Sequence, residues 1–452
     1  MKRVAFLSFD WDYEILSEYY EGMQDSLGSF GDVQLVIFDA FGKKNSFMPV
    51  KGSFDLFALC DPSRYDAFII QGNRAWPPEM RQEMADRIAA TGKPLVSINY
   101  KLDGAVTVGT DNYAAMFGLV KRVIQDRGCK RPAFVNGLAS SWEAWERSRA
   151  FGDACASCGI KHMRFFSAAW QMEEGERAAH NILSASGKLP DVVFCCNDDL
   201  AVGVQKVFLE HGVRVPQDVL IAGFDNRVIA AQATPRITTV DRGYRAIGAL
   251  ALKTAVERLE GKAVARFVPS EARYIFDESC GYEHEPAAST AEGEEAPEDA
   301  VQPQAHEKVE PAVRFSSEGG APLEVLLDCG QSLGQLHRSD VFVTVNRNYL
   351  EGGSFRSFLP YSDVSLLVED TAANGLAEHE GTSGLVHFEA GEILPPEVSM
   401  KGQLYVVHPL RQGMVSIGAV VIEGVSPYLR DGQLYALLSE VSASVERARL
   451  RR

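Results

Sequence analysis

The chain has 452 residues, 46% of them hydrophobic and 23% charged, with a net charge of -16 and a pI near 5.1. This length exceeds one ordinary core and points to about two or three domains, and the acidic balance argues against a surface adapted to nucleic acid. Met1-Lys2-Arg3 runs into the short apolar stretch Val4 to Leu7, too short for a signal core or a membrane span. A cytoplasmic protein with no membrane contact is therefore expected. The eight cysteines are scattered, as reduced thiols are. Cys155-Ala-Ser-Cys158 lies in a helical segment with no second pair at zinc spacing, so packing is the reading for it.

Short apolar runs alternate with amphipathic segments over the first 282 residues. Val4 to Ser8, Leu35 to Phe38, Ala67 to Ile70 and Leu95 to Asn99 read as strands, and Glu14 to Leu27 as a helix. Between the first strand and that helix stand Asp10, Trp11, Asp12 and Tyr13. Next come helix Tyr113 to Asp126, strand Ala133 to Val135, helix Trp142 to Ser157 and strand Met163 to Phe166. Val192 to Cys196 is a buried strand, and Asn197-Asp198-Asp199 supplies turn and cap chemistry before a helix carrying Leu200, Val204, Val207 and Phe208. Gly212 closes that helix, and Val219 to Gly223 is another buried run, ending on Phe224-Asp225. Helix Ala246 to Leu259 and strand Tyr274 to Phe276 follow. This alternation is the pattern of a doubly wound α/β fold. Polar groups beyond the carboxyl ends of its strands, such as Asn197 and Asp225, then face a common crevice.

From Glu283 to Pro311 nine acids stand against one lysine among Pro, Ala, Ser and Gln, the composition of a flexible, self-repelling linker. Residues 312–452 are expected to form a domain of their own. Val341 to Val345, Ser365 to Val368, Gly384 to Phe388, Leu404 to Val407 and Ser416 to Ile422 read as its strands. The last helix carries Leu434, Leu438, Val441, Val445 and Ala448, either a heptad seam for pairing between subunits or the apolar face of a helix packed on its own domain.

Several motifs carry a family resemblance. Val108-Gly109-Thr110-Asp111-Asn112, Arg131 to Gly137, the Asn197-Asp198 pair, Gly223-Phe224-Asp225, Thr234 to Val240 and Glu278-Ser279-Cys280-Gly281 resemble, in order, motifs of the LacI/GalR effector-binding half. The resemblance implies a type 1 periplasmic-binding-protein fold, with two doubly wound parallel sheets joined by a three-crossing hinge that closes on a ligand. Lobe one spans about 1–102 and 242–262, and lobe two about 103–240 and 263–282. The span Leu404 to Ile422 is similar to the closing hairpin of a GAF domain, so 312–452 is identified as a GAF-like α+β module.

Sugars are gripped by planar carboxylate, guanidinium and carboxamide groups over an aromatic face. The resemblance assigns ligand contact to Arg147, Asn197 and Asp225, and to Arg242, whose positive charge would suit an acidic or phosphorylated ligand. It also places a lobe-one aromatic among Asp10 to Tyr13, with Trp11 and Tyr13 as candidates. The structural alternatives are that Asn197 starts a helix and Asp225 caps a turn. Ala150 replaces the family's usual glycine, and Trp142 and Trp145 enlarge the neighbourhood.

No catalytic motif, cofactor motif or metal-spaced histidine cluster stands out, so a non-enzymatic sensor without cofactor is expected. Its partners would be a sugar-like small-molecule effector and a second copy in a homodimer. With strand one at Val4 there is no room for a helix-turn-helix headpiece, so direct DNA binding is not expected. The rival readings are the input half of a diguanylate cyclase or AraC-type regulator, an interaction scaffold with a degenerate pocket, and an enzyme using His337, Asp340, His387 or His408.

Overall fold

The computed structural model describes residues 1–9, 12–40, 55–71, 78–165, 169–185 and 188–284 of the first part of the chain. Beyond them it describes 325–326, 333, 341–346, 349, 363–370, 386–389, 393–394, 400, 402–412, 415–430 and 432–450. The 283–311 stretch lies outside the described residues except for its first two. The chain forms two compact units, residues 1–109, 244–268 and 303–452 in the first and 110–243 and 269–302 in the second. The chain passes between the units after Gly109, Gly243 and Val268. Among the described residues no helix is long and apolar enough to cross a membrane.

The first unit is built on strands β1 (Lys2–Ser8), β2 (Val33–Asp39), β3 (Ala67–Gln71), β4 (Leu95–Ile98) and β5 (Val106–Thr110), paired in parallel in the order β5-β4-β3-β1-β2. Alternate residues of β1 serve opposite faces. Ala5 and Leu7 join one apolar cluster, while Val4 and Phe6 join another with Leu16, Tyr20 and Met23 of α1 (Tyr13–Leu27). Both faces are covered, which is why these strands read as continuous apolar runs.

The C-terminal strands were expected in a domain of their own, but they run on from the edge of this same sheet. They are β13 (Val341–Asn346), β14 (Asp363–Asp370), β15 (Val386–Glu389), β16 (Leu404–Gln412) and β17 (Val415–Glu423). β16 pairs in parallel with β2, from Leu404 opposite Leu35 to Val407 opposite Phe38. Outward from β16 the order β17-β13-β14-β15 is antiparallel, giving one mixed eleven-stranded sheet with β11 (Phe267–Ser270) at its other edge. Phe342, Tyr405, Val407, Ala419 and Val421 share a core with Leu7, Val36 and Phe38. The seam also carries a buried polar contact, His408 Nδ1 at 3.3 Å from Asp39 Oδ2. Helix α9 (Gln433–Leu450) buries Leu434, Leu438, Val441 and Val445 with Val341, Val343, Leu410 and Val420. The candidate heptad seam is thus the face by which this helix packs on its own sheet.

The second unit has a parallel sheet β7-β6-β8-β9, formed by β6 (Pro132–Val135), β7 (Met163–Phe165), β8 (Val192–Cys195) and β9 (Leu220–Ala222). A separate antiparallel pair joins β10 (Thr239–Asp241) to β12 (Arg273–Ile275). Four longer helices belong to this unit: α3 (Asn112–Arg127), α4 (Trp142–Ser157), α5 (Met172–Ser184) and α6 (Asp198–Glu210). Side chains start three of them, with Asp111, Ser141 and Asn197 accepting from the backbone N–H of Ala114, Ala144 and Leu200. α5 and α6 meet where Gly175 faces the carbonyl of Leu200 and Gly203 that of Met172, too close for a Cβ at either position.

Candidate functional site

Four charged side chains gather in the second unit, delivered by segments far apart in sequence. α4 follows β6, and its first two turns carry Glu143 and Arg147 four residues apart, on one side of the helix. Asp225 stands three residues beyond β9, with φ at 112°, a conformation uncommon for a residue with a side chain. Its backbone N–H is held by the carbonyl of Val240 at 2.9 Å. Arg242 directly follows β10. Backbone strain of this kind concentrates at functional sites.

Arg147 is the centre of the cluster and only 1% exposed. Its Nε donates to Asn112 Oδ1 at 2.9 Å and its Nη1 to the carbonyl of Cys196 at 2.7 Å. Its Nη2 lies 3.2 Å from Asp225 Oδ1 and 3.8 Å from Glu143 Oε1, yet makes no hydrogen bond. The guanidinium sits 3.9 Å from the ring centre of Phe224 and 5.9 Å from that of Trp170. Arg242 donates from Nε to Thr110 Oγ1 at 3.1 Å, from Nη1 to Asp225 Oδ1 at 3.4 Å and from Nη2 to Glu143 Oε1 at 2.6 Å. Two buried guanidinium groups are thus met by two carboxylates, and the charge assigned to Arg242 from sequence is compensated on the spot.

Of the residues singled out in the sequence, Arg147, Asp225 and Arg242 are brought into contact. Asn197 lies at the same carboxyl edge, but its amide is engaged: Oδ1 caps α6 through Leu200 N–H, and Nδ2 donates to the carbonyl of Trp170 at 3.0 Å. Tyr13 stacks on Tyr435 of α9, with ring centres 5.9 Å apart. Trp11 and Asp10 lie outside the described residues. Ala150 is buried in the core, while Trp142 and Trp145 are stacked on each other and about half exposed. Glu143, Asn112 and Trp170 join the site without having been expected there. The i, i+4 spacing of Glu143 and Arg147, and the tryptophan between β7 and α5, are signals that could have found two of them.

Behind the cluster Asp198 is fully buried, accepting from Thr239 Oγ1 at 2.6 Å and from Arg227 N–H at 2.7 Å. Burial, and then the charge of Asp225, pushes its carboxyl well above the usual carboxylate range. The Cys196 thiol is likewise pushed up to about 12 by burial, which favours its protonated form. Among the described residues no group of three or more His, Cys, Asp or Glu could hold a metal ion.

Residues 123–280, which carry this geometry apart from a few flanking partners, match the family described as periplasmic binding protein-like domain. Over this region the chain is similar to curated transcriptional regulators and repressors. The NTD biosynthesis operon regulator NtdR of Bacillus subtilis (strain 168) is 24% identical over 255 residues, 56% of this chain and 73% of that protein. The HTH-type transcriptional repressor PurR of Pasteurella multocida (strain Pm70) is 30% identical over 198 residues, 42% of this chain and 58% of that protein. A LacI family transcriptional regulator from Silicibacter pomeroyi shares the fold, with a TM-score of 0.50, 22% identity, and coverage of 62% of this chain and 100% of that one. So does the transcriptional regulator CelR in its cellobiose complex, with a TM-score of 0.51, 19% identity, and coverage of 62% and 84%. The chain spans 43% to 73% of the length of these and other curated relatives.

Proposed function

We propose that this chain is a non-enzymatic small-molecule sensor of the LacI/GalR transcriptional-regulator type, and that its effector is sugar-like and held at the Arg147 cluster. The observation that carries this reading is the guanidinium of Arg147. It is almost completely buried, fixed on two of its nitrogens, and its Nη2 is ion-paired to Asp225 at 3.2 Å without a hydrogen bond. A buried donor of this kind costs free energy until a partner meets it, and a ligand hydroxyl is such a partner. The two carboxylates supply acceptors for further hydroxyls, and Trp170 supplies an aromatic face. The curated relatives named above are transcriptional regulators, and one structural neighbour holds cellobiose.

Trp170 lies close enough to the cluster to report on its occupancy. Titration of the full chain with a panel of pentoses, hexoses and disaccharides is expected to give a saturable change in tryptophan fluorescence for one compound class. The change should disappear in Trp170→Phe and persist in Trp145→Phe. A flat response across the panel would count against the sensor reading, and a response that survives Trp170→Phe would place the ligand elsewhere.

A further inference from the structure

The charge balance of the cluster bears on which effector it accepts, provided that the sensor reading above holds. Glu143 is the most solvent-exposed of the four charged side chains, at 20% against 13% for Asp225, 6% for Arg242 and 1% for Arg147. It is fixed from two directions, by Arg242 Nη2 at 2.6 Å and by the helical step to Arg147 Nη2 at 3.8 Å. We infer that Glu143 is a specificity-determining residue, which restricts the effector to uncharged polyols and excludes their carboxylated and phosphorylated counterparts.

A guanidinium recruits a carboxylate or phosphate by offering it a fork of two N–H groups. Here most of these donors are engaged, and Arg147 Nη2 is left as a single donor rather than a fork. Arg242 donates to Thr110, Asp225 and Glu143, and Arg147 to Asn112 and the Cys196 carbonyl. An entering anion must either displace Glu143 or Asp225 from its partner or sit against the outermost carboxylate at close range. Both are unfavourable, the first because it strands a buried charge and the second through like-charge repulsion. A neutral polyol meets the same groups without penalty, since its hydroxyls donate to the carboxylates and accept from Arg147 Nη2. Glu143 therefore works by rejecting the wrong ligand as much as by holding the right one.

Calorimetric titration of the full chain with matched pairs reads this directly: glucose against glucuronate, galactose against galacturonate, and ribose against ribose 5-phosphate. For any pair that binds, the neutral member should bind at least about tenfold more tightly. Glu143→Gln keeps the shape and removes the charge, so it should close or invert that ratio through a gain of about tenfold for the anionic member. Glu143→Ser should move the ratio in the same direction and serves if the glutamine variant does not fold. A wild-type preference for the anionic member, or an unchanged ratio in a folded Glu143 variant, overturns the inference and leaves the sensor reading intact. Failure of every pair to bind the wild type overturns the sensor reading, and this inference with it.

Discussion

Asp198 is a carboxyl group enclosed by protein that accepts a hydrogen bond on each oxygen; an amide in its place can keep the one from Arg227 N–H on its oxygen while its Nδ2 donates to a turned Thr239 hydroxyl. Its raised pKa has a definite consequence for stability. The unfolded chain ionises this group near pH 4, whereas the folded chain keeps it protonated to higher pH. The stabilising contribution of the neutral form is complete below about pH 4 and is lost as pH rises toward and through the folded-state value. Asp198→Asn should therefore be at least as stable as the wild type at pH 7, and its stability should vary less with pH above about 4. Denaturant melts at several pH values test this, and coincident profiles would contradict it. At this scale Arg147, Asp225 and Arg242 were singled out from the family resemblance, and the fold brings them into contact. The sequence did not disclose their charge balance, because Glu143 stands 99 residues from its partner Arg242 and only the fold brings them together.

Elements whose ends carry their own chemistry were legible. α4 runs Trp142–Ser157, as expected, because Ser141 caps it. β8 and α6 follow the apolar run and the Asn197 cap in the same way. β5 was not read as a strand, because Val106–Thr110 merges into the turn chemistry of Asp111-Asn112. Close helix contacts are also silent in a single sequence. Gly203 looks like a tolerated helix glycine until the carbonyl of Met172 is found against it. Gly203→Ala should cost about 1–3 kcal/mol through overpacking. Gly28→Ala, at a position with open space and an ordinary helical backbone, should cost little. Urea melts of the two variants compare them, and equal midpoints would show that the α5–α6 crossing relaxes freely.

At the scale of the molecule, the two parallel sheets followed from the order of motifs along the chain. The attachment of the C-terminal strands did not. Each strand was visible as an apolar run, but the pairing of Leu404 to Val407 with Leu35 to Phe38 joins segments several hundred residues apart, and no local pattern encodes a neighbour at that distance. The C-terminal strands cover the β2 edge, and α1 is tied to the segment that follows them by the Tyr13–Tyr435 stack and the Arg430–Glu18 ion pair at 2.8 Å. An exposed apolar edge is thereby removed from solvent. The central claim, that a small polyol is bound by the Arg147 cluster, is tested most directly by the melting temperature of the full chain with and without the panel compounds, for the wild type and for Asp225→Ala. A ligand at 100 times its dissociation constant should stabilise the fold by about 2.7 kcal/mol. The account requires a clear rise for one class of neutral sugar in the wild type and none in Asp225→Ala. A rise of the same size in both proteins would contradict it.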